Sequence, residues 1–217
     1  MQLNLDLPKY KWKEILKYLT PHRHESENVS MLCTAIEMAK DGETLNQKIY
    51  TLLKEKNFEE GIKNLQILSE QNDIDAQLLY SKILFSGDLT PQDFENSYFW
   101  GFSALLGGLK KASNILEKLS EYLTEEQIRD ITTKLIEFLE KRAYEKDKRA
   151  IVQIAKIYEN FTEPPDLINA YTWYNIAVAQ GIKTAKSKRD EVLNSLNEKD
   201  LLDAQSLSIK LFKKINN

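Results

Sequence analysis

One cysteine, Cys33, stands in the whole chain of 217 residues, so no intramolecular disulfide can form and a thiolate metal cluster is excluded. Histidine is almost as scarce. With only His22 and His24 present, a three-histidine metal site is excluded as well. Glycine (7) and proline (5) are few. A sandwich or barrel needs many turn residues, so the shortage favours helices joined by short connections. No run approaches the roughly 18 apolar residues of a membrane-crossing helix. The opening MQLNLDLPKYKWKEILKYL has no apolar stretch of secretory length, because Lys and Asp interrupt it. Neither sign of charge dominates: 30 Lys plus Arg face 33 Asp plus Glu, so no global pull toward nucleic acid or an acidic membrane is expected. These absences point to a cytoplasmic protein without membrane insertion, and the initial Met argues against a removed leader.

What is there is helical periodicity, nearly throughout. Apolar residues make up 42% of the chain and charged ones 29%, enough for a sizeable core beneath a charged surface. A first helix is expected to start near Pro8, a favoured first helical residue, and a second to cover about 29–40. Two more are expected near 44–56 and 58–71. From residue 75 the helices form a series: 75–87, 95–108, 110–123, 124–147, 149–161, 166–181, 182–196 and 197–215. Thr124 with Gln127 fits a capping box, and Asn197 fits a helix N-cap.

The series repeats. Residues 95–108 read ENSYFWGFSALLGG and residues 168–181 read INAYTWYNIAVAQG. Aligning 91–124 on 164–197 brings Pro91, Asp93, Asn96, Tyr98, Trp100, Ala104, Gly108 and Ala112 onto Pro164, Asp166, Asn169, Tyr171, Trp173, Ala177, Gly181 and Ala185. This is a duplication. A shorter period lies inside it, because Ala76, Ala112, Ala150 and Ala185 open four successive first helices. Each unit is a hairpin of two antiparallel helices, too small to bury its apolar stripe alone, so it must stack on its neighbours.

The pattern resembles Sel-one-like repeats, relatives of the tetratricopeptide repeat. The unit at 150–184 matches through Ala150, Ile154, Ala155, Tyr158, Ala170, Trp173, Ala177, Gly181 and Ala185, and departs where Phe161 replaces the loop glycine. The unit at 76–111 matches through Ala76, Tyr80, Ser81, Gly87, Trp100, Ala104, Gly108 and Ala112, and departs at Ser97 and Leu105. The unit at 112–149 keeps Leu116, Leu135, Phe138 and Ala143 but lacks the tryptophan and both glycines. The earliest unit has Asn64 in the tryptophan slot. The resemblance implies an all-α fold, an α-solenoid of antiparallel helix hairpins. Residues 1–43 then form N-terminal capping helices. Residues 44–217 form the array, with units at about 44–75, 76–111, 112–149 and 150–184, and 185–217 as the C-terminal unit or cap. The resemblance further implies protein–protein contact, with no catalysis and no cofactor.

Candidate chemistry is sparse. His22 and His24 sit two apart in a polar stretch, a spacing that does not converge on a helix face. Cys33 lies in an apolar helical stripe, where an inert buried thiol is expected. No phosphate-cradling glycine loop, nucleophile elbow or zinc-protease helix occurs. Trp100 and Trp173 could be stacking platforms, but their place in the repeat makes them core residues. In tetratricopeptide-like arrays the first helices line the concave groove, and the slot six residues after the opening Ala faces it. That slot holds Lys82, Lys118, Lys156 and finally Glu191, while the slot before the Ala holds Lys111 and Arg149. With Asn114 these form a basic stripe suited to an acidic peptide, a carboxylate terminus or an anionic ligand. The expected function is a non-catalytic scaffold binding a protein or peptide in that groove. The alternatives are a binder of an anionic small molecule or nucleic acid, and an enzyme with a groove site.

Overall fold

The computed structural model describes residues 58–216. The expected capping helices, the helix at 44–56, His22, His24 and Cys33 lie outside the described residues. Within them all regular structure is helical. In chain order the helices are α1 (Phe58–Glu70), α2 (Ile74–Ser86), α3 (Phe94–Leu106), α4 (Ser113–Leu119), α5 (Glu125–Tyr144), α6 (Lys148–Asn160), α7 (Leu167–Ala179), α8 (Ala185–Leu193) and α9 (Glu198–Asn216). A single 3-10 turn, Lys110–Ala112, precedes α4.

The helices begin where short polar side chains take over orphan backbone amides. Asp73 accepts from the amides of Asp75 and Ala76 to start α2. At α5 the expected capping box is formed: the Gln127 amide donates to Thr124 Oγ1 at 3.2 Å and the Thr124 amide to Gln127 Oε1 at 3.0 Å. Asn197 accepts from the Asp200 amide at 2.9 Å and opens α9. The expected helix at 110–123 is shorter than its apolar pattern. The chain leaves α3 through a left-handed Gly108, enters a 3-10 turn in which the Ala112 amide reaches Leu109 O, and runs as α-helix only to Leu119. At that end the Ser120 hydroxyl donates to Glu117 O at 2.7 Å and competes with further helix.

The described residues fall into two compact units, 58–128 and 129–216, dividing inside α5. In the first, α1 packs on α2, α2 on α3 and α3 on α4. Its core gathers Leu65, Leu68, Ala76, Leu79 and Ile83, with Tyr80 and Leu89 against them. In the second, α6 packs on α7, and α7 on both α8 and α9. Its largest fully buried side chains are Trp173 and Tyr174, with Ile131, Leu135, Leu139, Ile151, Ile154 and Ile157 in the same unit. Trp100 and Trp173 are 7% and 1% exposed. Both are core residues, and truncating either to Ala is expected to cost about 3–5 kcal/mol.

The duplication seen in sequence is repeated in the hydrogen bonds. Asp93 accepts from the Asn96 amide at 3.0 Å and from Asn96 Nδ2 at 2.7 Å. Asp166 accepts from the Asn169 amide at 2.9 Å and from Asn169 Nδ2 at 2.7 Å. At the far end of α3 the Gly108 and Leu109 amides bond to Leu105 O and Ala104 O, and at the far end of α7 the Gly181 and Ile182 amides bond to Val178 O and Ala177 O. Both glycines have positive φ, 108° and 85°, the conformation that ends a helix. The turns before α2 and α6 match as well. Asn72 and Lys146 are both left-handed, at φ 63° and 69°, and the following Asp amides return to Leu68 O and Arg142 O.

One corner differs. Gly87 ends α2 at φ 73°, whereas Phe161 ends α6 at φ −131°. A bulky L-residue is strained in the left-handed region, so the departure in sequence carries a different exit from the helix.

Small side chains set the helix contacts. Where α2 crosses α3, the Ser81 hydroxyl donates to Ser97 O at 2.6 Å and the Ser97 hydroxyl to Ser81 O at 2.7 Å. The corresponding Ala155 and Ala170 of the second unit are fully buried. Two hydroxymethyl groups exchanged for two methyls preserve close approach, and each buried bond that the hydroxyls make contributes about 1 kcal/mol.

Candidate functional site

The predicted basic residues lie in both units. In the first, Lys82 is half-buried on α2, Lys111 is exposed in the 3-10 turn, and Asn114 and Lys118 are exposed on α4. Burial pushes the Lys82 ammonium below its usual pKa, and repulsion from Lys111 and Lys118 pushes it further. The 3-10 turn and α4 therefore bring the Lys111 and Lys118 ammonium groups within electrostatic reach of Lys82 on α2.

In the second unit the surroundings are mixed. Arg149 is exposed at the start of α6, with its Nε 3.6 Å from Asp147 Oδ1. Lys156 is half-buried on α6, and burial lowers its pKa while the Glu159 carboxylate opposes that. Glu191, the acidic member of the predicted series, is exposed and accepts from Lys188 Nζ at 2.7 Å.

Around Glu159 stands a polar cluster that the sequence reading did not single out. The Tyr174 hydroxyl donates to Glu159 Oε2 at 2.6 Å, Asn160 Nδ2 donates to the same oxygen at 3.0 Å, and Lys188 Nζ lies 3.7 Å from Glu159 Oε1. Burial is the main cause that raises the Tyr174 pKa, followed by its bond to Glu159. The available signal was a mismatch: in the aligned duplication Tyr174 stands where Gly101 stands in the first copy. The phenol brings a buried hydroxyl that needs an acceptor, and Glu159 supplies it. The same Glu159 carboxylate opposes the lowering of the Lys156 pKa by burial.

A second concave feature belongs to the first unit. A cleft of about 610 Å³ opens between Tyr80 and Leu84 of α2, the segment 90–96, and Tyr122, Leu123 and Gln127. Its wall is aromatic and acidic. Tyr122 lies 4.6 Å from Phe94 and 6.3 Å from Phe85, centroid to centroid. Burial raises the Tyr80 pKa first, with Asp93 and Glu70 adding to it. On α2, Tyr80 and Lys82 are two residues apart and so point to opposite sides. One side of the helix feels carboxylates and the other feels lysines.

Among the described residues no three His, Cys, Asp or Glu side chains are placed to hold a metal ion, and no helix is long and apolar enough to cross a membrane. No family model matches the chain, and no curated protein is significantly similar to it in sequence.

Proposed function

We propose that the chain is a non-catalytic interaction module of the Sel-one-like repeat kind, an α-solenoid whose first-helix surface takes an acidic peptide segment of a partner protein. The repeated caps, turns and glycine exits support the repeat reading. The observation that carries the function is that Lys82, half-buried on α2, feels the positive charges of the exposed Lys111 and Lys118. A surface that carries these cations near one another is complementary in charge to an acidic segment. The second unit, taken by itself, carries Arg149 and Lys156, with Asp147 and Glu159 beside them.

The test is a fluorescence-anisotropy titration of the full chain with a labelled peptide of alternating Glu and Gly. Reversing Lys82 and Lys118 together to Glu is expected to weaken binding by about tenfold or more, equivalent to about 1.4 kcal/mol. Affinity of the unaltered chain is expected to fall as salt is raised. A K82E/K118E variant with an unchanged circular dichroism spectrum and unchanged affinity overturns the reading.

A further inference from the structure

The cleft on the other side of α2 has no part in an acidic-peptide site, and its chemistry is the reverse. The two segments that wall it are DLTPQDFEN (88–96) and EYLTEEQI (121–128). They carry six carboxylates and no Lys or Arg, and of the six Asp93 and Glu95 line the cleft. Helix capping accounts for some of these carboxylates, but it does not account for the aromatic wall beside them. Tyr122 is 58% exposed although its ring packs on Phe94 and Phe85. The ring is thus packed on one side and still exposed where Tyr122 lines the cleft.

The carboxylates that line the cleft are held in position. Asp93 is fixed by the backbone and side-chain amides of Asn96, and Glu95 Oε1 accepts from Gln127 Nε2 at 3.2 Å, tying one wall to the other. The volume of about 610 Å³ lies within the range of about 300–1,000 Å³ common for ligand sites. An open aromatic face next to fixed carboxylates matches a guanidinium better than an ammonium. The guanidinium is planar, stacks on a ring and presents paired N–H donors to carboxylate oxygens. The second unit shows a cation on a tyrosine at working distance, with Lys214 Nζ 4.2 Å from the centre of the Tyr144 ring.

We propose that this cleft receives an arginine side chain from a partner protein, with the guanidinium stacked on Tyr122 and hydrogen-bonded to Asp93 and Glu95. The first unit then contacts partners through two surfaces of opposite charge preference, one on each side of α2.

The test uses the full chain labelled with ¹⁵N and a short capped Gly-rich peptide holding one Arg, compared with the same peptide holding citrulline, which keeps the shape and removes the charge. The arginine peptide is expected to shift amide signals in 80–96 and 121–128 with millimolar affinity, and the citrulline peptide to shift them far less. Tyr122→Leu keeps an apolar cover over Phe94 but loses the ring face, and is expected to weaken arginine binding about fivefold. Glu95→Gln is expected to weaken it as well. The K82E/K118E variant is expected to bind the arginine peptide as the unaltered chain does, which separates this site from the lysine surface. Equal shifts with citrulline, unchanged affinity in a folded Tyr122→Leu chain, or no shift at all overturns the proposal. So does self-association of the free chain that Tyr122→Leu abolishes, which would assign the cleft to a second copy.

Discussion

Gly101 shows how tightly single residues are specified. It lies inside α3 and is buried, a position where Ala would improve helix propensity by about 1 kcal/mol. A methyl there would meet Ser81 Oγ at 2.9 Å, Leu116 Cδ2 at 3.2 Å and Ile115 Cγ2 at 3.3 Å. Ser81 has little room to yield, because its hydroxyl is bonded to Ser97 O. Overpacking is therefore expected to win, with Gly101→Ala destabilising the fold by a net of about 1–2 kcal/mol, measured as a lower urea midpoint at unchanged slope. This requirement was not legible in the sequence. The aligned residue is Tyr174, so the repeat pattern says nothing of a glycine here. It follows from the crossing of α2 and α3, which is known only once the helices are packed. The roles of Trp100, Trp173, Gly108 and Gly181 were legible, because aromatic fill and left-handed helix exits are tied to residue type.

Elements were read correctly where a cap marks them and less well where only hydrophobic spacing does. Thr124, Gln127 and Asn197 form the expected caps. The helix expected over 182–196 is α8, confined to Ala185–Leu193, and starts at Thr184 without a side-chain cap bond. The buried stripe of α5, Ile131, Leu135, Leu139 and Ala143, recurs every four residues, as its sequence suggests. Thr124→Ala removes one half of the capping box and is expected to cost about 1 kcal/mol. Thr124→Ser should restore most of it, read in the same urea titration. Loss of the same size in both variants would show that the box contributes nothing. The two polar arrangements that sequence reading missed, the Glu159 cluster and the aromatic cleft, share one cause. Each joins residues from separate elements, 159, 174 and 188 in one case and 80, 94 and 122 in the other. No local spacing encodes such meetings.

For the molecule as a whole, the buried phenols are expected to make stability fall in the alkaline range. Burial raises the phenol pKa of Tyr98 to about 12, and burial with the Glu140 and Asp166 carboxylates raises Tyr158 to about 12. The folded state then holds these phenols neutral where the unfolded chain ionises them, from about pH 10 upward. Their contribution is complete below that pH and is lost as pH rises toward about 12. Lys82 and Lys156 act in the opposite sense, since their lowered pKa values relieve a penalty as pH rises. The double variant Tyr98→Phe, Tyr158→Phe is therefore expected to show a flatter decline of the urea midpoint above about pH 10, and an equal decline in both chains would refute it. The matching turns at Asn72 and Lys146 carry a different kind of consequence. Joining residue 72 to residue 147 restores the same left-handed residue, the same capping aspartate and the same return bond to the preceding helix. In genetic terms, an unequal exchange between the two copies at this point removes or adds two hairpins while keeping the backbone form of the joint, and the first side chain that has to adapt is at the position of Gln77, whose bonds to Ser69 O and Asn72 Oδ1 the aligned Ile151 does not make.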